Sequence, residues 1–560
     1  MNEVKKAYLD IMEAALSAYS REHIEEYFNR CERDGVTEHG FPRLTSNIGI
    51  LIANGRQSEL KELFLQMMEL CISEVQKPPT ANTGNNFSVR ELISCVAELR
   101  AAGTVDEARL DRWCEVLGTL DPYRAYTAIA LKPEDRPNNW AIFATVSEQM
   151  KTAIGYTPDE EFIELQLSTQ VIHLDENGMY RDPNEPMVYD AVSRGLFSLL
   201  IKHGYRGKYL EVIDSALRRA GLMTVDMQSA TGEIPFGGRS NGFLHNEGWI
   251  AAICEYEAAR YAKMGDELSA MEFKSAALRA RGVAERWLSH EPIRHIKNYY
   301  PTSSGYGCEE YAYFDKYMIT TASSLYAAYM ISYLDNVIIE DCAFPQAEYR
   351  GEARTYVASL SNHFGQTVLK AGDYTAQVSH RAKTGYDAIG LGRLHRRGAP
   401  SEICLSVPCP PKPTYSIGGA EPLPLSLIGL SALDRSALQC EECNLLESVV
   451  SGDIAEVSLL ANQVTTTYRL SPEGLSVTVH GEGELCLYLP MLEECGLGEP
   501  SGKIGTNKAL LQYRSWQLEY RTNGKIFDTG SLSYNRNGVY RRLLVRGRSG
   551  LAVDIKITKM

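Results

Sequence analysis

Residues 475–489 read Leu-Ser-Val-Thr-Val-His-Gly-Glu-Gly-Glu-Leu-Cys-Leu-Tyr-Leu, two alternating apolar runs joined by a glycine-rich turn. An alternation of two is the signature of a strand with one face in a core. The same style runs through Thr355–Leu360, Asp373–His380, Val457–Leu460 and Val464–Leu470. It returns in Leu510–Tyr513, Trp516–Arg521, Leu543–Val545 and Leu551–Ile557. Pro408, Pro410, Pro411 and Pro413 mark an irregular loop within this text. The reading is an antiparallel β-sandwich over residues 345–560.

Upstream the period changes. Val4, Tyr8, Ile11, Ala15 and Tyr19 step by three or four, one face of a helix. The pattern recurs in Leu60–Glu74, Val89–Arg100, Glu107–Leu117, Trp140–Ile154, Asp159–Val171 and Val188–Leu200. It continues in Tyr209–Ala220, Trp249–Ala262, Ser269–Trp287 and Tyr317–Leu334. Short breaks such as Lys77-Pro-Pro-Thr and Arg136-Pro-Asn-Asn separate the segments. Roughly a dozen helices with short connections make about six hairpins, and no βαβ alternation is visible. The expected fold class is α+β and multidomain: an N-terminal (α/α)6 toroid over residues 1–340, then the sandwich.

The chain has 560 residues, 44% apolar and 23% charged, an ordinary globular composition that excludes disorder as the main state. Its 57 Lys and Arg against 71 Asp and Glu give a net charge of −14, with a pI near 5.4. Phosphate backbones need a basic footprint, so nucleic acid is a poor partner. No apolar run reaches the roughly 18 residues that span a bilayer, so no membrane partner is expected. Met1-Asn-Glu-Val-Lys-Lys lacks an apolar signal core, and the 13 cysteines are odd in number and scattered. These features lead to the expectation of a cytoplasmic protein with reduced thiols.

Four polar, aromatic islands interrupt the helical text. The first is Asn138-Asn139-Trp140. An Asn there caps a helix, and a Trp can instead stack on a pyranose face while Asn139 bonds hydroxyls or a carboxylate. The second runs from Asp175 to Asp190 and gathers Asp182, Glu185, Tyr189 and Asp190 near a helix start. The third, residues 232–248, packs Arg239, Ser240, Asn241, His245, Asn246 and Glu247 beside glycines. Arg239 can grip a carboxylate with two bonds, while His245 or Glu247 can move protons near neutral pH. The fourth, residues 299–317, carries Tyr306, Glu309, Glu310, Tyr311 and Asp315. Each has a bland alternative: caps, core packing or an Arg–Glu brace.

Weaker signals are read as structural. Cys440-Glu-Glu-Cys443 lacks the second pair of a zinc site, and His290 and His295 are off the i,i+4 spacing. Leu394-His395-Arg396-Arg397 reads as a solvated charge run. No metal or organic cofactor signature is found.

Together the islands resemble the (α/α)6-toroid enzymes that act on uronic acids. Asn138-Asn139-Trp140 is similar to the Asn–Trp motif of heparinase- and chondroitinase-type lyases. Gly178-Met-Tyr-Arg-Asp182 with Tyr189-Asp190, and Pro235-Phe-Gly-Gly-Arg-Ser-Asn, resemble glycoside hydrolase family 154 most closely. That resemblance implies an exo-acting β-glucuronidase on a uronic-acid-containing oligosaccharide. Its motifs cover the toroid; the sandwich is matched only in general shape.

Two chemistries follow. A hydrolase needs two carboxyl groups about the anomeric carbon, for which Glu247 with Asp190 or Glu310 are the candidates. Asn139, Trp140, Asp182, Tyr189, Arg239, Asn241, Asn246, Tyr311 and Asp315 would then bind the sugar. A lyase instead abstracts the proton next to the carboxylate, with Asn139 and Arg239 neutralising charge and His245 and Tyr306 transferring protons. The abundance of acids favours hydrolysis. A non-catalytic glycan binder would not need so many titratable groups together. A terpenoid-cyclase-like toroid is more distant, lacking an Asp-Asp-x-x-Asp box. Absence of an export signal fits an enzyme finishing imported oligosaccharides, its pocket closed by loops of the sandwich or of a second subunit. A homo-oligomer is left open.

Overall fold

The computed structural model describes residues 3–17, 19–77, 85–126, 139–183, 187–289, 314–331, 354–412, 423–495, 497–535 and 537–560. The helices are α1 (Glu3–Leu16), α2 (Arg21–Asp34), α3 (Gly40–Ala53), α4 (Lys61–Glu74), α5 (Asn85–Ala102), α6 (Glu107–Gly118) and α7 (Pro122–Ala125). They continue as α8 (Asn139–Gln149), α9 (Glu160–Gln170), α10 (Met187–Lys202), α11 (Leu210–Met227), α12 (His245–Lys263), α13 (Glu267–Leu288) and α14 (Phe314–Ile331).

Six of them form a closed cycle: α3 packs on α5, then α8, α10, α12 and α14 follow, and α14 returns to α3. A second set lies outside: α4 on α3, α6 on α5, α9 on α8, α11 against α10 and α12, α13 on α12, and α1 on α14. The two sets differ in sequence for a physical reason. Outer helices need one apolar stripe, as in Ile213, Ala216, Leu217, Ala220 and Thr224 of α11. Inner helices are enclosed on all sides, so α3 buries every residue from Gly40 to Ile52. Helix α3 is absent from the periodic segments of the sequence because Gly40, Pro42, Asn47 and Gly49 break its pattern. Pro42 stands in the first turn, where its missing N–H costs nothing. Gly49 lies where Phe64 and Cys95 leave no room for a Cβ. Tyr19, expected on the face of α1, lies beyond its end at Leu16.

Strands begin at Tyr356. The expected boundary between the two parts falls in residues 332–353, outside the described residues. The strands make three antiparallel sheets: β1-β2-β3-β4, β14-β15-β10-β5 and β11-β12-β13-β16-β9-β8-β7-β6. Their ranges are β1 (Tyr356–Ser359), β2 (Gln366–Ala371), β3 (Tyr374–Ser379), β4 (Gly390–Arg396), β5 (Leu430–Ser431), β6 (Asn444–Ser451), β7 (Ile454–Ala461) and β8 (Val464–Ser471). They continue as β9 (Gly474–His480), β10 (Leu485–Glu494), β11 (Ser501–Ile504), β12 (Lys508–Tyr513), β13 (Trp516–Thr522), β14 (Lys525–Asn535), β15 (Gly538–Gly547) and β16 (Leu551–Lys559). One apolar core joins all three, the long sheet facing the two short ones. No helix among the described residues is long and apolar enough to cross a membrane.

The first short sheet is buried on both faces, and β3 shows how. Tyr374, Ala376 and Val378 enter the sandwich core, while Thr375, Gln377 and Ser379 point the other way and are also buried. Their face meets the loop that leads into α12. Gln377 donates to Phe236 O at 2.7 Å and accepts from Phe236 N at 3.1 Å. Arg393 donates to Ile234 O at 2.7 Å. The expected charge run at 394–397 is therefore corrected. His395 is 1% exposed in β4 and bonds Ser229 and Thr231 through Nδ1 and Ser406 through Nε2. Polar residues on a strand buried from both sides bind a second domain rather than water.

Candidate functional site

The inner helices present their N-termini at one end of the ring. His39 precedes α3, Phe87 lies in the first turn of α5, Trp140 in that of α8 and Tyr189 in that of α10. All four rings are half-buried. The first three touch in sequence: His39 and Phe87 have centroids 5.0 Å apart, and Phe87 meets Trp140 edge-on at 5.3 Å. This collar lines that end of the ring with flat apolar faces. Neither Phe87 nor His39 stands out in the sequence.

Below the collar lies a buried charge network. Glu91 on α5 is approached by Arg43 of α3 at 3.1 Å and by Arg90 at 2.6 Å. Ser323 of α14 donates to its other oxygen at 2.8 Å, and Asn47 donates to Ser323 at 3.1 Å. Arg90 lies over the Trp249 ring of α12 at 5.6 Å. Burial pushes the Arg90 guanidinium down, with Glu91 opposing. Two guanidinium groups share one carboxylate, so this network carries a net positive charge. Helix N-termini add positive potential of the same sign.

The Gly232–Gly248 island occupies the next sector. Gly237 N donates to Asn241 Oδ1 at 2.7 Å, and Gly238 N donates to Asp387 Oδ2 at 2.8 Å. Asn241 Nδ2 donates to Tyr386 O at 3.2 Å. Asn241 is thus a loop clasp with both ends of its amide engaged. The clasp leaves Arg239 exposed, its guanidinium 5.1 Å from the Tyr189 ring centroid. Ser240 is buried at φ 68°, a left-handed conformation that a non-glycine residue adopts at a cost, with Oγ 3.5 Å from Tyr189 Oη. His245, Asn246 and Glu247 open α12 and are 4%, 0% and 1% exposed. His245 stacks on Phe243 at 6.0 Å, and Asn246 Nδ2 donates to Ser240 O at 3.1 Å. Buried Arg393 interacts electrostatically with both Glu233 and Glu247.

Asp190 is tightly held. Arg194 clamps it with contacts of 2.6 and 2.9 Å, and Tyr180 N donates to Oδ1 at 2.7 Å. Arg194 also donates to Thr224 Oγ1 at 2.8 Å and Ala220 O at 3.1 Å. At 1% exposure and with its lone pairs filled, Asp190 braces α10 against α11 through Arg194. Asp182 is buried where the chain enters α10, and its carbonyl lies 3.1 Å from His363 Nε2 of the sandwich. Asn139 is 3% exposed at the first position of α8. Tyr306, Glu310 and Tyr311 lie outside the described residues, as does the side chain of Asp315. The described residues gather no group of three or more His, Cys, Asp or Glu suited to a metal ion.

No family model matches the chain, and no curated protein does. Among solved structures, a heparinase III is similar with a TM-score of 0.48 at 10% identity, over 89% of this chain and 74% of that one. A heparinase III with methylated lysines gives 0.44 at 10% identity, over 93% and 77%. A GH127 β-L-arabinofuranosidase from Geobacillus stearothermophilus T6 gives 0.32 at 11% identity, over 100% and 81%. Likeness of this degree assigns no activity; the side chains at the ring's N-terminal end carry the functional reading.

Proposed function

We propose that the protein is a glycoside hydrolase that removes a terminal uronic acid from an oligosaccharide. The observation that carries this is the aromatic collar over a floor where Arg43 and Arg90 share Glu91. A uronic acid matches both features, having an apolar ring face and a carboxylate. Arg239, exposed beside Tyr189, is a second cation for the same group or for the next sugar. A floor closed by buried side chains suits an exo-acting enzyme that takes a chain end.

Glu247 is the carboxylate assigned to the chemistry. It opens α12 beside buried Arg393, with which it interacts electrostatically, and is cast as the base that activates water. The second carboxyl, the acid for the leaving oxygen, is assigned to Glu310, since Asp190 is held by Arg194. His245 shares the first turn of α12 with Glu247 and orients water or substrate.

The test is incubation with glucuronic-acid oligosaccharides, followed by mass spectrometry and ultraviolet absorbance. Release of a hydrated terminal uronic acid without new absorbance supports hydrolysis. An unsaturated, absorbing product overturns it and moves the chemistry to His245 and Tyr306. Glu247→Gln is expected to lower kcat about a thousandfold while substrate binding persists, the range of a lost acid–base group.

A further inference from the structure

The opposite end of the ring, where α5, α8, α10 and α14 finish, holds a cavity that the proposed reaction does not use. Its volume is about 230 Å³, below the roughly 300–1,000 Å³ of drug-sized sites, which suits a small ligand. Most of its wall is apolar: Ala97, Ala101, Met150, Met330 and the rings of Tyr326 and Tyr329. Two charged side chains line it, Glu98 of α5 and Lys202 at the end of α10. Each acts on the other electrostatically, yet among the described residues Lys202 forms no ion pair and its ammonium no hydrogen bond. Burial pushes the Lys202 ammonium down, with Glu98 opposing. Glu98 accepts from Tyr326 Oη at 3.1 Å through Oε1, which leaves Oε2 for another donor.

His203, next to Lys202, adds a third polar group, its Nε2 buried without a hydrogen-bond partner. Burial pushes this imidazole down to about 3, and the charges of Lys202 and Arg90 act the same way, so it stays neutral. Arg90 belongs to the floor, where it meets Glu91, and its carbonyl accepts from Ser94 on the cavity wall at 3.0 Å.

The charges of Glu98 and Lys202 cancel, so a simple anion or cation would gain from one wall and lose at the other. Water between them would satisfy both groups but leave the apolar wall wet. A molecule carrying its own carboxylate and ammonium, joined to a hydrocarbon body, matches all three features at once. The C-terminal ends of α5, α10 and α14 add negative potential, which favours an ammonium beside Glu98.

We propose that this cavity binds a free α-amino acid with an apolar side chain, its carboxylate on Lys202, its ammonium on Glu98 and its body against Met150 and Met330. The site is independent of the reaction assigned to the other end of the ring.

The test is calorimetric titration of the full chain with L-leucine, L-methionine and L-phenylalanine, then with the deaminated and decarboxylated analogues of the tightest binder. One saturable site is expected. Each analogue should bind at least tenfold more weakly than its amino acid, the scale of one charged hydrogen bond. Lys202→Met keeps the apolar stem, and Glu98→Gln keeps an acceptor for Tyr326, so both are expected to fold, as the melting temperature will report. Each should weaken amino-acid binding at least tenfold. Lys202→Met should leave the decarboxylated amine unaffected, and Glu98→Gln the deaminated acid. Arg239→Ala, at the other end of the ring, should leave amino-acid binding intact. Absence of saturable binding for all three amino acids overturns the proposal. So does an analogue bound as tightly as its amino acid, binding that survives Lys202→Met or Glu98→Gln, or binding lost in Arg239→Ala instead.

Discussion

The two ends of the helical ring use arginine in opposite ways. At the N-terminal end Arg43 and Arg90 are buried on one glutamate, and the helix ends reinforce their charge. At the C-terminal end Arg218 and Arg260 share Asp214 near the surface, and the helix ends oppose them. A buried network is little screened by salt, whereas a wetter cluster has a weaker field that salt screens. The contrast suits the first end to the proposed recognition of a uronic acid.

The largest expected effects separate two acids at the first end. Glu247→Gln should remove turnover and leave the melting temperature nearly unchanged. Asp190→Asn should do the reverse. It breaks a buried ion pair with Arg194, a change that typically costs about 3–5 kcal/mol of stability. What folds should keep most of its kcat. Thermal melts beside rate measurements decide the matter. A stable, inactive Asp190→Asn protein would restore Asp190 to the catalytic pair and erase the difference between the two acids.

That difference was beyond the sequence, for a physical reason. Asp190 and Glu247 look alike in the text, each in the first turn of a helix after a turn-rich island. Only the partner four residues on, Arg194, signals a brace, and i,i+4 pairs are common enough to pass unnoticed. The strand text was legible, by contrast, because strands β7 to β9 and β16 each bury mainly one face. Strand β4 was not, since burial from both sides erases alternation and makes Arg393 and His395 look like surface charges. The same erasure hid the floor of the site. Val89-Arg90-Glu91-Leu92 sits in a helix without a solvent face, and adjacent charges there could have been the clue.

At the other end, Glu257 gives the next effect. Burial pushes its carboxyl up to about 7, against the pull of Arg260. Asp214 raises it as well, whereas Arg194 and Arg218 lower it. Relative to its ordinary value of 4.5, the folded protein therefore holds more protons than the unfolded chain between about pH 4.5 and 7. Stability contributed by this group falls as pH rises through that window. Glu257→Gln should flatten the fall and gain about 3–4 kcal/mol at pH 8, since each tenfold change in proton affinity is worth about 1.4 kcal/mol. Denaturant unfolding at pH 5 and pH 8 measures it. An unchanged pH dependence would mean that the carboxyl stays ionised and that its guanidinium neighbours dominate.

The smallest effect tests the collar itself. Trp140 is half-buried and held edge-on by Phe87, which also contacts Phe143 at 5.0 Å and Arg43 at 5.5 Å. If the ring face binds sugar, Trp140→Ala should raise KM about tenfold and leave kcat nearly unchanged. That corresponds to the roughly 0.5–1.5 kcal/mol of a single aromatic contact. Phe87→Ala should act partly through Trp140, so the double variant should lose less than the sum of the single losses. Strict additivity would show two independent contacts. Unchanged KM in both variants would reduce the collar to packing at the ends of α5 and α8, leaving the shared-glutamate floor as the feature that recognises the uronic acid.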